Sequence, residues 1–145
     1  MITFNFENDF SLNDESFYTD WIQQIITSEN KDLGTINFVF CNDEYLLGIN
    51  QQYLNHDTYT DIISFDYTQD NVISGDIFIS TERVLENAQT YNVSFDHELL
   101  RVMAHGVLHY CGYKDKSESE SETMRLKEDE KISMFHVEPI KKSIN

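Results

Sequence analysis

One segment restricts the fold of this chain more than any other. Residues 99–111 are apolar at almost every position except Arg101, His105 and His109, so the segment predicts a helix buried in the core. The two histidines stand four residues apart, which places both imidazoles on one helix face about one turn from each other. This is the spacing of a metal-ligand pair, and the alternative is a pair of core histidines bonded to carbonyl groups.

A glycine and a carboxylate follow the two histidines. Gly112 stands where a left-handed helix end is expected, and the turn there would bring Asp115 toward both imidazoles. A buried imidazole without a partner costs about 1 to 3 kcal/mol, and one divalent cation would satisfy both rings and hold the carboxylate ionised. We therefore predict that His105, His109 and Asp115 bind one divalent metal ion. Zinc is the first expectation, although nickel, manganese and iron also accept two nitrogens and one oxygen.

The same segment resembles the signature of the YbeY family of rRNA maturation factors, which are metal-dependent endoribonucleases. The family pattern is roughly H-G-x-L-H-L-x-G-Y-D-H. The residues in step with it are His105, Gly106, Leu108, His109, Gly112 and Tyr113. Lys114 stands where the pattern has Asp, and Asp115 stands where it has the third His. A carboxylate binds zinc about as closely as an imidazole does, so the resemblance implies a similar site with a more anionic ligand set.

Two further blocks extend the resemblance. Residues 49–65 are similar to the family's L-N-x-x-Y-R-x-x-D-x-x-T-D-V-L-S-F, and residues 75–80 are similar to its G-D-I-x-I-S. The first block matches at Asn50, Tyr53, Asp57, Thr60, Asp61, Ser64 and Phe65. Leu54 takes the position of the family's Arg, for which the resemblance implies a role in the RNA chemistry. The role of that Arg is here either dispensable, lost, or moved to another cation such as Arg83 or Arg101.

Length and residue patterns predict one domain over residues 1–145, because 145 residues suffice to bury a core. The predicted strands are 2–6, 35–42, 60–67 and 74–80, and the predicted helices are 13–28, 42–53, 80–91, 94–111 and 117–135, with a polar loop at 55–59. The predicted helix starts are capped by Asn13, Asn42, Ser80, Ser94 and Ser117. We therefore expect an α/β (α+β) fold, in which a small mixed four-stranded sheet packs with about five helices and a central metal-binding helix.

The charge of the chain limits its partners. A formal net charge of −16 opposes tight RNA binding by the isolated protein, because RNA-binding proteins usually have a basic footprint. Most of the basic residues follow residue 100, and Lys114 and Lys116 flank Asp115, so a local positive rim is compatible with the sequence. The charged run of the last helix is interpreted as a solvated face.

The absence of an apolar run of 18 residues and the polar start of the chain predict a cytoplasmic protein with no membrane partner. The resemblance implies rRNA or a ribosomal particle as the partner, with a ribosomal protein as a second candidate. DNA is not expected as a ligand.

Hydrolysis is the reaction class that an open metal site favours, because a bound cation lowers the pKa of coordinated water from 15.7 toward about 7. In H-E-x-x-H sites the residue after the first His is the Glu base, and here that residue is Gly106, which disfavours peptide hydrolysis by that route. Asp76 and Asp61 are therefore the candidates for a general base. Each has the alternative role of orienting a histidine or capping a loop.

The resemblance implies a metal-dependent endoribonuclease that acts in rRNA processing, maturation and ribosome quality control. Two alternatives stay open. The first is a non-catalytic ribosome assembly factor that binds RNA or a ribosomal protein and uses the metal structurally. The second is a zincin-like metal hydrolase of another substrate.

Overall fold

Four strands form a mixed sheet in the computed structural model, which describes residues 1–54 and 59–144, the segment 136–144 by its backbone only. The strands are β1 (Ile2–Phe6), β2 (Asp32–Cys41), β3 (Ile62–Asp66) and β4 (Val72–Ser80). They lie in the order β1-β2-β4-β3, with β1 parallel to β2, β2 parallel to β4, and β3 antiparallel to β4. The predicted mixed four-stranded sheet is confirmed.

Five helices accompany this sheet in the described ranges, as predicted. They are α1 (Glu15–Ser28), α2 (Asp43–Tyr53), α3 (Thr81–Tyr91), α4 (Phe95–Tyr110) and α5 (Glu118–Ile144). In the part of the chain that the structure covers, no helix is both long enough and apolar enough to cross a bilayer.

One face of the sheet forms the main core. Alternate residues of β2 and β4 point to this face, because side chains along a strand alternate between its two sides. The fully buried hydrophobic strand residues of this core are Ile36, Phe38, Phe40, Ile73, Ile77 and Ile79. Trp21 and Ile25 of α1 and most of α4 are buried against the same cluster. The histidine-bearing helix α4 is therefore held on both sides by apolar packing.

Gly106 allows α4 to lie directly on the sheet. A Cβ at this position would be 3.0 Å from Ile62 Cδ1 and 3.1 Å from Ile77 Cδ1. Such spacing is tighter than ordinary van der Waals contact, so both isoleucine side chains would have to shift by a few tenths of an ångström to admit a Cβ. The glycine that replaces the base of H-E-x-x-H sites thus serves the packing of the helix.

The helix starts follow the predicted caps in most cases. Ser80 and Ser94 accept hydrogen bonds from the backbone N–H groups of Arg83 and His97. Ser117 and Glu120 form the predicted capping box, with reciprocal bonds of 2.9 and 3.1 Å. The prediction for α1 is wrong, because its N-cap is Asp14, in a left-handed conformation, rather than Asn13.

Two other predictions concern the end of α5 and the loop at 55–59. Helix α5 extends to Ile144 rather than ending at residue 135. Most of the predicted loop at 55–59, including Asp57 of the matched block, lies outside the described residues.

Gly75 gives the first testable prediction. A Cβ there would lie 2.5 Å from the carbonyl oxygen of Phe65 and 2.5 Å from the ring of Tyr110. The Tyr110 hydroxyl lies 3.0 Å from the carbonyl oxygens of both Phe65 and Asp76 and can donate its one proton to either, which holds the end of α4 against the sheet. Gly75→Ala should lower the free energy of unfolding by about 1 to 3 kcal/mol in urea denaturation.

Gly48→Ala is the matched control, because a Cβ added on this exposed face of α2 would meet no atom of the described residues within 4 Å. Alanine is the better helix former, so this variant should gain up to about 1 kcal/mol. Equal stability of Gly75→Ala and the parent chain would contradict the close packing of Tyr110 against the sheet.

Candidate metal centre

The last turns of α4 and the following turn bring three side chains together. His105 Nε2 lies 3.0 Å from His109 Nε2. Asp115 Oδ2 lies 3.2 Å from His105 Nε2 and 3.5 Å from His109 Nε2. One ligand atom from each residue lies within 4.8 Å of the others, so this group could hold a metal ion. The three residues predicted as ligands are therefore adjacent in the structure.

The turn after α4 places the carboxylate. Gly112 has a φ of 108°, in the left-handed region that residues with a Cβ rarely adopt. The backbone N–H of Tyr113 donates to the carbonyl of Leu108 at 3.1 Å, which closes the helix end. The Ser121 hydroxyl of α5 donates to the carbonyl of Asp115 at 2.9 Å, which fixes the chain beyond the turn.

The other ring nitrogens determine which atoms face the centre. His109 Nδ1 lies 2.9 Å from the carbonyl oxygen of Tyr113, which can only accept, so Nδ1 is the protonated nitrogen. His105 Nδ1 lies 2.6 Å from Glu128 Oε2, and a carboxylate likewise accepts the proton. Both Nε2 atoms then direct lone pairs toward Asp115. Among the described residues, three acceptors converge with no donor between them, which is the arrangement that fits a cation.

Glu128 belongs to a buried charge cluster that sequence reasoning missed. Its side chain is 2% exposed, and its other oxygen lies 3.4 Å from Arg101 Nη1. Glu98, equally buried, accepts from Arg101 Nε at 3.0 Å and from Nη2 at 2.6 Å. Burial disfavours the charge of Arg101, but Glu98, Glu128 and Asp61 outweigh it and raise the Arg101 pKa. One arginine therefore compensates several carboxylates beside the histidines.

The charged run of α5 is not a uniformly solvated face, contrary to the interpretation from sequence. Lys131 is fully buried, and its Nζ lies 2.7 Å from Glu29 and 2.6 Å from Glu130. Glu29 also accepts from the Tyr113 hydroxyl at 2.7 Å. The residue whose carbonyl fixes His109 is therefore attached to both α1 and α5.

Asp61 lines the cleft at this centre. The cleft has a volume of about 230 Å³ and also includes Arg101, His105 and Asp115. The Asp61 carboxylate lies 3.6 Å from Arg101 Nη2 and 3.4 Å from Asn87 Nδ2. Burial raises the pKa of Asp61 in spite of the lowering effect of Arg101 and His105. Asp61 is therefore a largely buried carboxyl group that faces the cleft of the candidate metal centre.

Asp76, the other candidate base, is not brought to this cleft. It alternates along β4 with Gly75 and Ile77, which belong to the core face, so its side chain points to the opposite face of the sheet. There its carboxylate accepts from Asn37 Nδ2 at 2.9 Å. The structure thus gives Asp76 a cross-strand partner on β2, away from the histidines.

The position that holds the family's Arg offers no cation here. Leu54 follows α2 as its C-cap and is 43% exposed. Of the two substitute cations considered, Arg83 pairs with Asp43 at 2.8 Å and is not among the residues of the cleft. Arg101 lines the cleft directly.

This combination defines a class of small α/β proteins in which a buried helix and the next turn supply a His–His–carboxylate ligand set facing a cleft. Hydrolases use ligand sets of this kind, with a free coordination position, to bind metal ions. The chain belongs to the Endoribonuclease YbeY family, whose family model matches residues 3–136. The resemblance seen in the sequence motifs is confirmed.

Individual relatives agree with this assignment. The chain is 65% identical to Endoribonuclease YbeY of Flavobacterium johnsoniae over 138 residues, which cover 95% of this chain and 99% of the relative. It is 47% identical to Endoribonuclease YbeY of Bacteroides thetaiotaomicron, with 80% and 85% covered. The solution structure of TM1509 from Thermotoga maritima is similar at a TM-score of 0.70 and 25% identity, with 98% and 93% covered.

The Glu29 contacts predict a pH-dependent loss of stability. Burial alone would raise the pKa of Glu29, but its bonds to Lys131, Tyr113 and Lys127 lower it overall. A carboxylate whose pKa is lowered by folding stabilises the fold at pH values above its unfolded-state pKa of about 4.5. This stabilisation is lost as the pH falls through the pKa of the folded state. Glu29→Gln should therefore cost about 1.5 to 3 kcal/mol at neutral pH, because it removes the charged hydrogen bonds of Glu29 while Lys131 keeps Glu130 as a partner.

Urea denaturation at neutral pH and at about pH 3 measures this difference, which should shrink toward zero in acid. Glu122→Gln, an exposed change on α5, is the control and should be neutral at both values. A cost for Glu29→Gln that is the same at both pH values would contradict the ionic origin of the stabilisation.

Proposed function

We propose that this chain acts as a single-domain, metal-dependent endoribonuclease of rRNA over residues 1–145. Membership of the Endoribonuclease YbeY family supports the nuclease activity. The convergence of His105 Nε2, His109 Nε2 and the Asp115 carboxylate supports the metal dependence, and it is the observation on which the proposal rests.

The proposed ion is zinc, held by His105, His109 and Asp115. Two imidazole nitrogens and one carboxylate oxygen are ligands that zinc accepts, and three protein ligands leave a position open. When bound, the ion would lower the pKa of coordinated water and polarise a phosphoryl oxygen. Glu128 and the carbonyl of Tyr113 keep the Nδ1 protons in place, so both Nε2 atoms remain available as ligands.

Asp61 is the proposed proton acceptor. It faces the same cleft as His105 and Asp115, and burial raises its pKa toward the range that suits a general base. The Asp61 carboxylate lies 3.6 Å from Arg101 Nη2, which pairs with it. Asp76 has no such position, since its carboxylate is bonded to Asn37 on the other face of the sheet.

The proposed substrate is rRNA within a ribosomal particle, where a ribosomal protein can contribute to recognition. A net charge of −16 makes tight binding of free RNA by the isolated chain unfavourable, and this favours a substrate that other proteins help to position. The proposed location of the chain is the cytoplasm, in keeping with a substrate within a ribosomal particle.

Metal removal and replacement test the function. The purified protein, treated with a chelator, should lose cleavage of a structured rRNA fragment and regain it with zinc. Asp115→Ala should not recover, because it removes one ligand of three. Asp61→Asn should still bind zinc in calorimetry but should cleave about 100-fold more slowly or worse, as expected for loss of a general base.

Asp20→Asn, an exposed change on α1, is the matched control and should behave as the parent chain does. The second candidate function is a ribosome assembly factor with a structural metal, which Leu54 at the family's Arg position favours. Normal binding to ribosomal particles by every variant, with no cleavage by any zinc-loaded preparation, would establish that function instead.

Glu128 should control the affinity for the ion without touching it. Glu128→Gln replaces the acceptor of the His105 Nδ1 proton by an amide, and loss of such a partner typically weakens metal binding about 10- to 100-fold. Competition with a chelating dye measures the zinc dissociation constant. Glu122→Gln on the exposed side of α5 should leave it unchanged. An unaltered constant in Glu128→Gln would show that the contact does not orient the ligand.

A further inference from the structure

A second cleft lies beside the metal centre and shares Arg101 with it. Its volume is about 390 Å³, which is within the range of small-molecule sites of roughly 300 to 1,000 Å³. The end of α3, the segment that follows it, the first turn of α4 and the middle of α5 form its walls. The proposed reaction uses none of the walls of this cleft except Arg101.

The arginines of the chain are concentrated here. The sequence contains three, Arg83, Arg101 and Arg125, and the last two line this cleft. Arg125 is exposed, and within residues 1–54 and 59–135 its side chain has neither an ion-pair partner nor a hydrogen-bond partner. In a chain with a net charge of −16, an arginine without a carboxylate partner in a cleft is available for an anionic ligand.

The acidic residues of the cleft differ in whether their charges can act on a ligand. Glu98 is buried and accepts two hydrogen bonds from Arg101, so that its charge is compensated. Asp129 lies one turn beyond Arg125 on α5 and is exposed. Arg125 and Asp129 are therefore the two fully exposed charges of this cleft, with opposite effects on an anion.

An exposed aromatic ring lies in the same cleft. Tyr91, the last residue of α3, is 61% exposed, and Val93 beside it is 37% exposed. An aromatic ring near an arginine is the combination by which proteins bind single-stranded nucleic acid, since the base stacks on the ring and the cation meets the phosphate.

We propose that this cleft binds a nucleotide of the RNA next to the bond that is cut, with Arg125 at a phosphate and Tyr91 at a base. The inference rests on the proposed function, because the shared Arg101 places the cleft next to the centre where the RNA would react. It assigns to Arg125 and Tyr91 a role in holding the substrate strand and no role in the chemical step.

Binding measured without cleavage tests the proposal. The probe is a fluorescein-labelled oligoadenylate, and its anisotropy is followed in the presence of a chelator over a range of salt concentrations. Arg125→Gln should weaken binding about threefold to tenfold at low salt. It should also reduce the slope of log affinity against log salt by about 0.7, the value for one phosphate contact on a single strand.

The other variants separate stacking from charge. Tyr91→Ala should weaken binding by about fivefold or more while leaving the salt slope unchanged, since stacking releases no counterions. Asp129→Asn should strengthen binding, because it removes the negative charge beside Arg125. Lys31→Gln and Tyr67→Ala are the matched controls outside the cleft, and both should bind as the parent chain does.

Three results would overturn the proposal: no binding by the parent chain even at low salt and high protein concentration, where weak binding is measurable; equal binding by Arg125→Gln and Lys31→Gln; or equal binding by Tyr91→Ala and Tyr67→Ala. Failure of the proposed catalysis gives a different pattern. In that case no zinc-loaded preparation cleaves RNA, yet the affinity still falls in Arg125→Gln and Tyr91→Ala, which supports the cleft as an RNA-binding site.

Discussion

The candidate site depends on two hydrogen bonds, which keep the proton of each imidazole ring on Nδ1. A backbone carbonyl takes the Nδ1 proton of His109, and the Glu128 carboxylate takes that of His105. Each contact has an orienting effect that the i, i+4 spacing cannot supply alone, because spacing fixes only the position of the side chains and leaves their rings free to rotate. With both protons on the outer nitrogens, the lone pairs meet the Asp115 carboxylate, and the three groups become a ligand set.

Helix α5 makes this orientation depend on long-range packing. Glu128 reaches His105 from α5, and Lys131 on the same helix joins Glu29 at the end of α1. Burial of such charges is costly unless each has a partner, so the position of α5 is restricted to one in which all of them are paired. Tyr113 belongs to the same set of contacts through its hydroxyl bond to Glu29. The turn that carries Asp115 is thereby attached to the body of the fold.

Local signals explain what could be predicted from the sequence. The caps at Ser80 and Ser94 act within one helical turn, and the spacing of the two histidines and the Gly112 turn are also local features. The partners of Arg101 and His105 on α5 are not local, since Glu128 is 23 residues from His105 and stands in a run of charges that gives no sign of burial.

The two candidate bases differ in how far a local sequence pattern predicts their positions. The period of two along β4 places Asp76 opposite its buried neighbours Gly75 and Ile77, and this alternation is visible in the sequence. Asp61 precedes β3, where no periodicity applies, and its approach to α4 depends on the order of the strands in the sheet. The position of Asp76 could therefore have been predicted from the sequence, whereas the position of Asp61 required the tertiary structure.

The burial of single charges in α5 changes how sequence drift in this helix should be interpreted. In a helix so rich in Glu, Lys and Asp, exchanges among charged residues would ordinarily count as neutral. Here Glu122 and Glu128 have the same chemistry but opposite surroundings, since one meets solvent and the other is enclosed beside a histidine. Each position of α5 therefore has its own tolerance to substitution. The overall composition of this helix does not indicate whether a related protein keeps the buried charges beside the site.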